Sequence, residues 1–262
     1  MDVLAVEAPV NQTPAAGSLA VRLEHVTKSF GARKVLDDVS LEVPARSAFI
    51  ILGRSGTGKS VTLRHIIGLM RPDSGRVFVE DDEISRLSGA DLVRVRKKMG
   101  FLFQSAALFD SISVGENVAF PLRRHTKLSD PEIRQRAMEK LKAVGLENEY
   151  DKMPGSLSGG MRKRAGLARA MALEPPILLV DEPSAGLDPI TADEIDELLL
   201  RQKQNDGTTL VVVTHNIPSA RRLGDELVML HQGRIIASGT PRELEQSNNE
   251  IVRAFMKSQH GG

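Results

Sequence analysis

The sequence contains no cysteine, no tryptophan and only one tyrosine among its 262 residues. Without cysteine the chain forms neither disulfides nor thiolate metal sites, and it suits a reducing compartment. Because aromatic residues make up only 3% of the chain, a stacking surface for single-stranded nucleic acid is not expected. The 35 basic residues nearly balance the 34 acidic ones, so the net charge of +1 gives no argument for nucleic acid as a partner.

Long hydrophobic runs are also missing. The longest, such as Ala48–Leu52 and Ile177–Val180, have the length of strands and are too short to span a membrane. Residues 1–18 lack the basic start of a signal peptide and show no periodicity, so we expect a disordered lead-in there. These features favour a soluble, cytosolic protein.

Strand and helix patterns alternate along most of the chain. Ala48–Leu52 is apolar on both faces, as a buried central strand requires, and a glycine-rich turn and a helical pattern follow it. Residues 105–165 have a mostly helical pattern, and strands return at Ile177–Val180, Leu210–Val213 and Glu226–Leu230. We predict an α/β fold with a mostly parallel sheet core, an antiparallel β subdomain and an inserted helical subdomain. The predicted domain covers residues 19–245, and a tail follows at 246–262.

A glycine-rich loop follows the first buried strand and fits the pattern G-x-x-x-x-G-K-[ST] at every position. Its backbone N–H groups and the positive end of the next helix favour a phosphate group. We expect Lys59 to reach the β and γ phosphates of ATP, and the Ser60 hydroxyl to bind Mg²⁺. The predicted nucleotide-binding residues here are Gly53, Arg54, Ser55, Gly56, Thr57, Gly58, Lys59, Ser60 and, in the helix, Thr62.

Two carboxylates, Asp181 and Glu182, end the apolar strand Ile177–Val180. Open α/β sheets place their ligand sites at this end of their strands. We expect Asp181 to hold Mg²⁺ and Glu182 to orient the attacking water. An apolar run followed by two acids also fits a solvated strand end, and the upstream phosphate loop favours the functional interpretation.

A second glycine-capped helix start, Leu157–Met161, resembles the LSGGQ signature of ABC ATPases. Taken alone, the segment would fit an ordinary helix cap. A chain with one γ phosphate to bind has no need of two such devices, so we expect Ser158, Gly159 and Gly160 to serve the ATP of a partner chain. The resemblance therefore implies a P-loop NTPase of the ABC type that acts as a head-to-tail homodimer.

Other residues match the ABC pattern in its order. By this resemblance Phe30 stacks on adenine, Gln104 contacts Mg²⁺ and senses the membrane subunit, and Asp188 acts across the dimer. His215 resembles the switch histidine that contacts the γ phosphate, and a structural role for it or for Phe30 is the alternative. The sequence departs from the family pattern at Met161, where glutamine is usual, and at Phe30, where tyrosine is commoner.

The helical region is similar to that of ATPases in Mla-type phospholipid transporters, which work with MCE proteins. The similar segments are residues 102–110, residues 116–122, His125–Leu128 and the signature with the basic residues 162–164. This resemblance implies a permease dimer in the membrane, an MCE protein, a STAS-domain protein and a position on the cytoplasmic face of the inner membrane. An importer of another substrate, such as amino acids, or a soluble ABC ATPase is the alternative.

The tail carries a short amphipathic segment, Ile251–Met256. In the similar ATPases the tail reaches the neighbouring subunit. We expect this segment either to do the same or to pack as a helix on its own domain.

Overall fold

The computed structural model describes residues 17–258, which form two sheets and the helices around them. The smaller sheet is antiparallel, with four strands in the order β2-β1-β4-β5. Its strands are β1 Leu19–Phe30, β2 Arg33–Pro44, β4 Ser74–Val79 and β5 Asp82–Glu83. The antiparallel β subdomain is thus present. The predicted lead-in at 1–18 lies almost wholly outside the described residues.

The larger sheet has six strands in the order β10-β9-β3-β8-β7-β6. All neighbours are parallel except β9 and β10, which pair antiparallel across a tight turn at 231–234. The predicted, mostly parallel core is therefore confirmed. The strands are β3 Ala48–Leu52, β6 Met99–Leu102, β7 Ile177–Asp181, β8 Thr209–Thr214, β9 Glu226–His231 and β10 Arg234–Gly239.

Nine α-helices and one short 3-10 helix, Pro154–Ser156, accompany these strands within residues 17–258. Three of them, α3 to α5, follow β6 and pack on one another before the chain returns to the sheet at β7. Serines cap the starts of all three, since helix N-termini leave backbone N–H groups without partners. The helices are α1 Lys59–Ile66, α2 Gly89–Arg96, α3 Val114–His125, α4 Asp130–Ala143, α5 Gly159–Ala170, α6 Pro189–Asp206, α7 Ile217–Leu223, α8 Pro241–Glu245 and α9 Glu250–Lys257.

The larger sheet separates two hydrophobic cores. Side chains alternate along β3, so Ala48, Ile50 and Leu52 join the core beneath α3 to α7. Phe49 and Ile51 point the other way, into the core shared with α1 and the smaller sheet. Because both faces are covered, the ends of the strands are the part of this sheet open to a ligand.

The tail helix α9 packs on its own domain. Val252 and Met256 are fully buried in the first core, and Arg221 donates a hydrogen bond of 3.0 Å to the Met256 carbonyl. Ile251 remains about half exposed. Within residues 17–258, none of the helices combines the length and apolar character needed to cross a bilayer.

Candidate functional site

The phosphate loop joins β3 to α1 and depends on its glycines. Gly58 has a φ of +108°, and a Cβ there would lie 2.8 Å from the Val35 carbonyl oxygen and 2.7 Å from Leu36 Cδ2. Only glycine fits both the conformation and the space. Helix α1 can therefore begin directly after the loop, and the first N–H groups of a helix have no partner within it.

Lys59 reaches back over this loop from the first position of α1. Its Nζ donates hydrogen bonds to the carbonyls of Gly53, at 2.7 Å, and Arg54, at 3.1 Å. It also pairs with Glu182 Oε1 at 3.1 Å. The loop therefore wraps around a buried cation, as a triphosphate site requires.

Glu182 follows β7 and lies between Lys59 and His215. Its Oε2 is 2.9 Å from His215 Nδ1 and accepts a hydrogen bond of 3.3 Å from the His215 backbone N–H. The residue is 7% exposed, with an unusual φ of +47°. Non-glycine residues rarely adopt this conformation, and they concentrate at functional sites.

Ser60 and Asp181 place two oxygen donors beside the phosphate loop. The Ser60 hydroxyl donates to Asp181 Oδ1 at 2.8 Å. Burial raises the pKa of the Asp181 carboxyl above its usual range, and the hydrogen bond from Ser60 opposes that shift. Within residues 17–258 no group of three His, Cys, Asp or Glu side chains could hold a metal. A hydroxyl, one carboxylate and the nearby Gln104 amide are nevertheless hard oxygen donors, which suit Mg²⁺ when phosphate oxygens share the coordination.

A cavity of about 320 Å³ opens where these elements meet, at the carboxyl ends of the parallel strands. The structure brings nine of the predicted site residues to it, from β1, the phosphate loop, the end of β6, the end of β7 and the end of β8. These are Phe30, Ser55, Gly56, Gly58, Lys59, Ser60, Gln104, Glu182 and His215. Phe30 is 48% exposed at the cavity, where an adenine ring could stack on it.

Thr62 requires a correction. Its side chain is 1% exposed, its hydroxyl donates to the Gly58 carbonyl at 3.2 Å, and Val61 lines the cavity instead. The reason is the helical rotation of α1, which turns position 62 toward the core. Within the loop, the Thr57 side chain also bonds to the protein, since its hydroxyl donates to the Arg54 carbonyl at 2.9 Å.

The second glycine-capped helix start lies outside this cavity. Ser158 caps α5 by accepting a hydrogen bond from the Met161 N–H, and both Ser158 and Gly159 are exposed. Gly160 is buried against Thr191, whose N–H and hydroxyl bond to Asp188, at 3.0 and 2.6 Å. Asp188 thereby caps α6, and these bonds lower the pKa of its carboxyl. The signature segment and Asp188 form a separate exposed surface.

Two residues of the site are not among the residues predicted from the sequence. Arg33 lines the cavity and donates to the Gly56 carbonyl at 3.1 Å, and no sequence signal distinguishes it from other strand arginines. Lys163 on α5 donates to the Glu182 carbonyl at 2.9 Å. The sequence does carry a signal for the burial of Lys163, because helical spacing puts it on the same face of α5 as Gly160 and Leu167.

A phosphate loop, a paired lysine and glutamate, and a serine–aspartate oxygen pair at one sheet edge define a P-loop nucleoside triphosphatase. A family model described as "ABC transporter" matches residues 36–185, more than half of the chain. The chain belongs to the ABC transporter family, and it is an ATPase of that type.

Similar proteins and solved structures support membership of this family. The chain is 42% identical to the "Probable ribonucleotide transport ATP-binding protein mkl" of Mycobacterium leprae, over 93% of this chain and 70% of that protein. It is 41% identical to the "Intermembrane phospholipid transport system ATP-binding protein MlaF" of Escherichia coli K12, over 90% and 88%. It is also similar to the dimeric ATP-binding cassette MJ0796 bound to ADP and Pi, with a TM-score of 0.79 and 36% identity, over 84% and 98% of the two chains.

Proposed function

We propose that this chain hydrolyses ATP with Glu182 as the residue that orients and deprotonates the attacking water. The position of its carboxylate carries the proposal, because it lies between Lys59 Nζ, at 3.1 Å, and His215 Nδ1, at 2.9 Å. Lys59 and the loop N–H groups would neutralise the γ phosphate, and His215 would contact the same group. Phe30 would stack on the adenine at the other end of the cavity.

Ser60, Asp181 and Gln104 would hold Mg²⁺ together with the phosphate oxygens of ATP. When bound, the ion supplies positive charge to the β and γ phosphates. Asp181 suits this role because it is buried and accepts a hydrogen bond from Ser60. The fixed end of β7 and the first turn of α1 keep the two oxygen donors together.

We propose further that two copies pair head to tail and that the Ser158–Gly160 segment completes the site of the partner. Ser158 and Gly159 are exposed at the start of α5, where the positive end of the helix dipole lies, and the segment lies away from the cavity of its own chain. The similar cassette MJ0796 is a dimer in its ADP and Pi complex, which supports this arrangement. Hydrolysis would then require closure of the pair, and closure would drive a membrane subunit.

An apolar groove that includes Phe103, the residue before Gln104, suits that membrane subunit. Its volume is about 480 Å³, and Phe101, Phe103, Phe109 and Phe120 line it. Phe109 and Phe120 are nearly half exposed, and such aromatic side chains are common anchors in interfaces. We propose a cytoplasmic segment of an integral membrane permease as the occupant, which puts the chain on the cytoplasmic face of the inner membrane. A STAS-domain protein and an MCE protein would complete the assembly.

For the cargo we propose phospholipids moving between the inner and outer membranes. The chain and the phospholipid transport protein MlaF of Escherichia coli K12 cover each other over 90% and 88% of their lengths, whereas 30% of the mkl protein lies outside the match. Ribonucleotide transport is the second candidate, because identity to the mkl protein is equally high. ATPase stimulation in vesicles that contain the reconstituted complex distinguishes them: phospholipid substrates should stimulate turnover, and ribonucleotides should not.

The role of Glu182 is tested with Glu182→Gln. We expect the variant to bind ATP and to accumulate as a closed dimer, with phosphate release reduced about a hundredfold or more, as for loss of a general base. Steady-state phosphate release and size-exclusion chromatography with ATP measure the two effects. Near-normal turnover would show that another group activates the water.

A further inference from the structure

Helix α5, which begins at the signature segment, carries a buried lysine. Lys163 is 5% exposed and lies on the same helix face as Gly160 and Leu167. Its side chain crosses to the end of β7, where Nζ donates a hydrogen bond of 2.9 Å to the backbone carbonyl of Glu182.

Burying this ammonium group has a cost. Burial lowers the pKa of Lys163, and the charges of Asp181 and Glu182 oppose the shift only in part. A methionine would fill a similar volume without desolvating a charge. What lysine adds at this position is therefore the contact with Glu182, beyond packing.

That contact holds a strained residue. Glu182 has a φ of +47°, a left-handed conformation that is strained for a non-glycine residue and persists only where the surroundings enforce it. Its N–H donates to the Val213 carbonyl at 2.9 Å. Its carbonyl accepts from Lys163 and, at 3.2 Å, from the Ala185 N–H. Hydrogen bonds thus fix the peptide groups on both sides of Glu182. Among these three bonds, the one from Lys163 comes from α5.

We propose that Lys163 is a positioning residue for ATP hydrolysis, which holds the left-handed backbone of Glu182 so that its carboxylate faces Lys59 and His215. The proposal rests on the role of Glu182 given above. Lys163 also connects the signature segment with the nucleotide cavity of the same chain. Ser158 caps the start of α5, and Lys163, about one turn further along this helix, contacts Glu182. A shift of α5 on dimer closure would be transmitted to the carboxylate of the same chain.

The test uses the full-length chain with Lys163→Met, which removes the donor, and Lys163→Arg, which keeps a charged donor. Lys163→Gln replaces the methionine variant if that one does not fold. Each is made in the wild type and in Glu182→Gln, and ATP turnover, KM and thermal melting are measured. Lys203→Met is the matched control. Lys203 lies on α6 outside the cavity, and its side chain donates a hydrogen bond to Asp225.

We expect Lys163→Met to lower kcat about ten- to a hundredfold, as for a reacting group displaced by a fraction of an ångström to 1 Å, with KM for ATP changed less than about threefold. Lys163→Arg should restore most of the lost kcat, and Lys203→Met should leave it unchanged. In the Glu182→Gln background, where single-turnover phosphate release is followed over hours, Lys163→Met should cost less than about twofold, because residues that act as a unit are not additive.

Three results would overturn the proposal: wild-type kcat in Lys163→Met, an equal loss of turnover in both backgrounds, or failure of both the methionine and the glutamine variants to fold. The last would make Lys163 structural. Normal turnover of Glu182→Gln alone would instead contradict the proposed role of Glu182, so the two failures are distinguishable.

Discussion

The hydroxyl of Ser60 donates a hydrogen bond of 2.8 Å to Oδ1 of Asp181, and this bond joins the first turn of α1 to the end of β7. Asp181 is buried, and burial raises the pKa of its carboxyl. A carboxyl group whose pKa is higher in the folded than in the unfolded chain destabilises the fold above that folded pKa. Its contribution improves as the pH falls through the folded pKa toward the unfolded value. The charged carboxylate of Asp181 therefore opposes folding at neutral pH, although binding a metal requires this charged form.

We predict that Asp181→Asn stabilises the metal-free protein and removes its response to Mg²⁺. The amide oxygen still accepts the Ser60 hydrogen bond, and the desolvated charge is gone. At pH 7 with EDTA we expect a higher melting temperature, with about 2–4 °C for each kcal/mol gained. Addition of Mg²⁺ and ATP should raise the melting temperature of the wild type, while it should leave the variant nearly unchanged.

Asp193→Asn is the control for this experiment, because Asp193 is exposed on α6 and pairs with Arg222. It should melt close to the wild type and respond to Mg²⁺ and ATP in full. A lower melting temperature of Asp181→Asn in EDTA would contradict the stability argument. An undiminished response to Mg²⁺ and ATP would contradict the metal role.

Local signals account for the parts of the fold that the sequence predicts. The run Ala48–Leu52 is apolar at every position and forms β3 with the predicted bounds. Helix α7, Ile217–Leu223, also has local boundary signals, because Asn216 caps its start and Gly224 follows its end. Nine predicted site residues reach one cavity because the carboxyl ends of parallel strands share one edge of the sheet.

The remaining features depend on tertiary contacts. In the sequence, the strand-like segments Val35–Leu36 and Leu41–Val43 are separated by mostly polar residues. In the structure both belong to β2, because Val39 between them also pairs with Val26 of β1. Helix α2 was not predicted, since only Val95 of its residues is buried and its pattern is correspondingly weak. Helical spacing places Lys163 on the buried face of α5, but its contact with Glu182 joins two separate elements and depends on the tertiary fold.

A mixing experiment tests whether the signature segment serves the partner chain. In Gly159→Asp a carboxylate would stand where the partner's phosphate is expected. The fold should tolerate it, since the nearest neighbour to an added Cβ is Leu187 Cδ2 at 3.7 Å. Lys59→Ala removes the lysine of the phosphate loop. Each variant alone should be inactive. A mixed dimer has one site with both defects and one intact site, so a preparation of mixed dimers should recover about half of wild-type turnover.

Gly159→Ala is the matched control for that mixture and should hydrolyse ATP nearly as well as the wild type. Recovery is measured by phosphate release after the two variants have been co-expressed with different tags and purified through both. If the doubly tagged dimer is as inactive as its parents, the Ser158–Gly160 segment acts within its own chain or not at all, and the head-to-tail arrangement fails.

The apolar groove gives the last prediction. Phe109 and Phe120 lie with ring centroids 5.0 Å apart on its rim, each nearly half exposed. Replacing both with serine should leave ATP binding and turnover of the free chain unchanged, because neither lines the nucleotide cavity. Recovery of an integral membrane protein with the tagged chain, from detergent-solubilised membranes of the native host, should fall about tenfold or more, as for loss of aromatic anchors. Leu69→Ser, at an equally exposed apolar side chain away from the groove, should recover the wild-type amount. Undiminished recovery with the double serine variant would place the membrane partner on another surface.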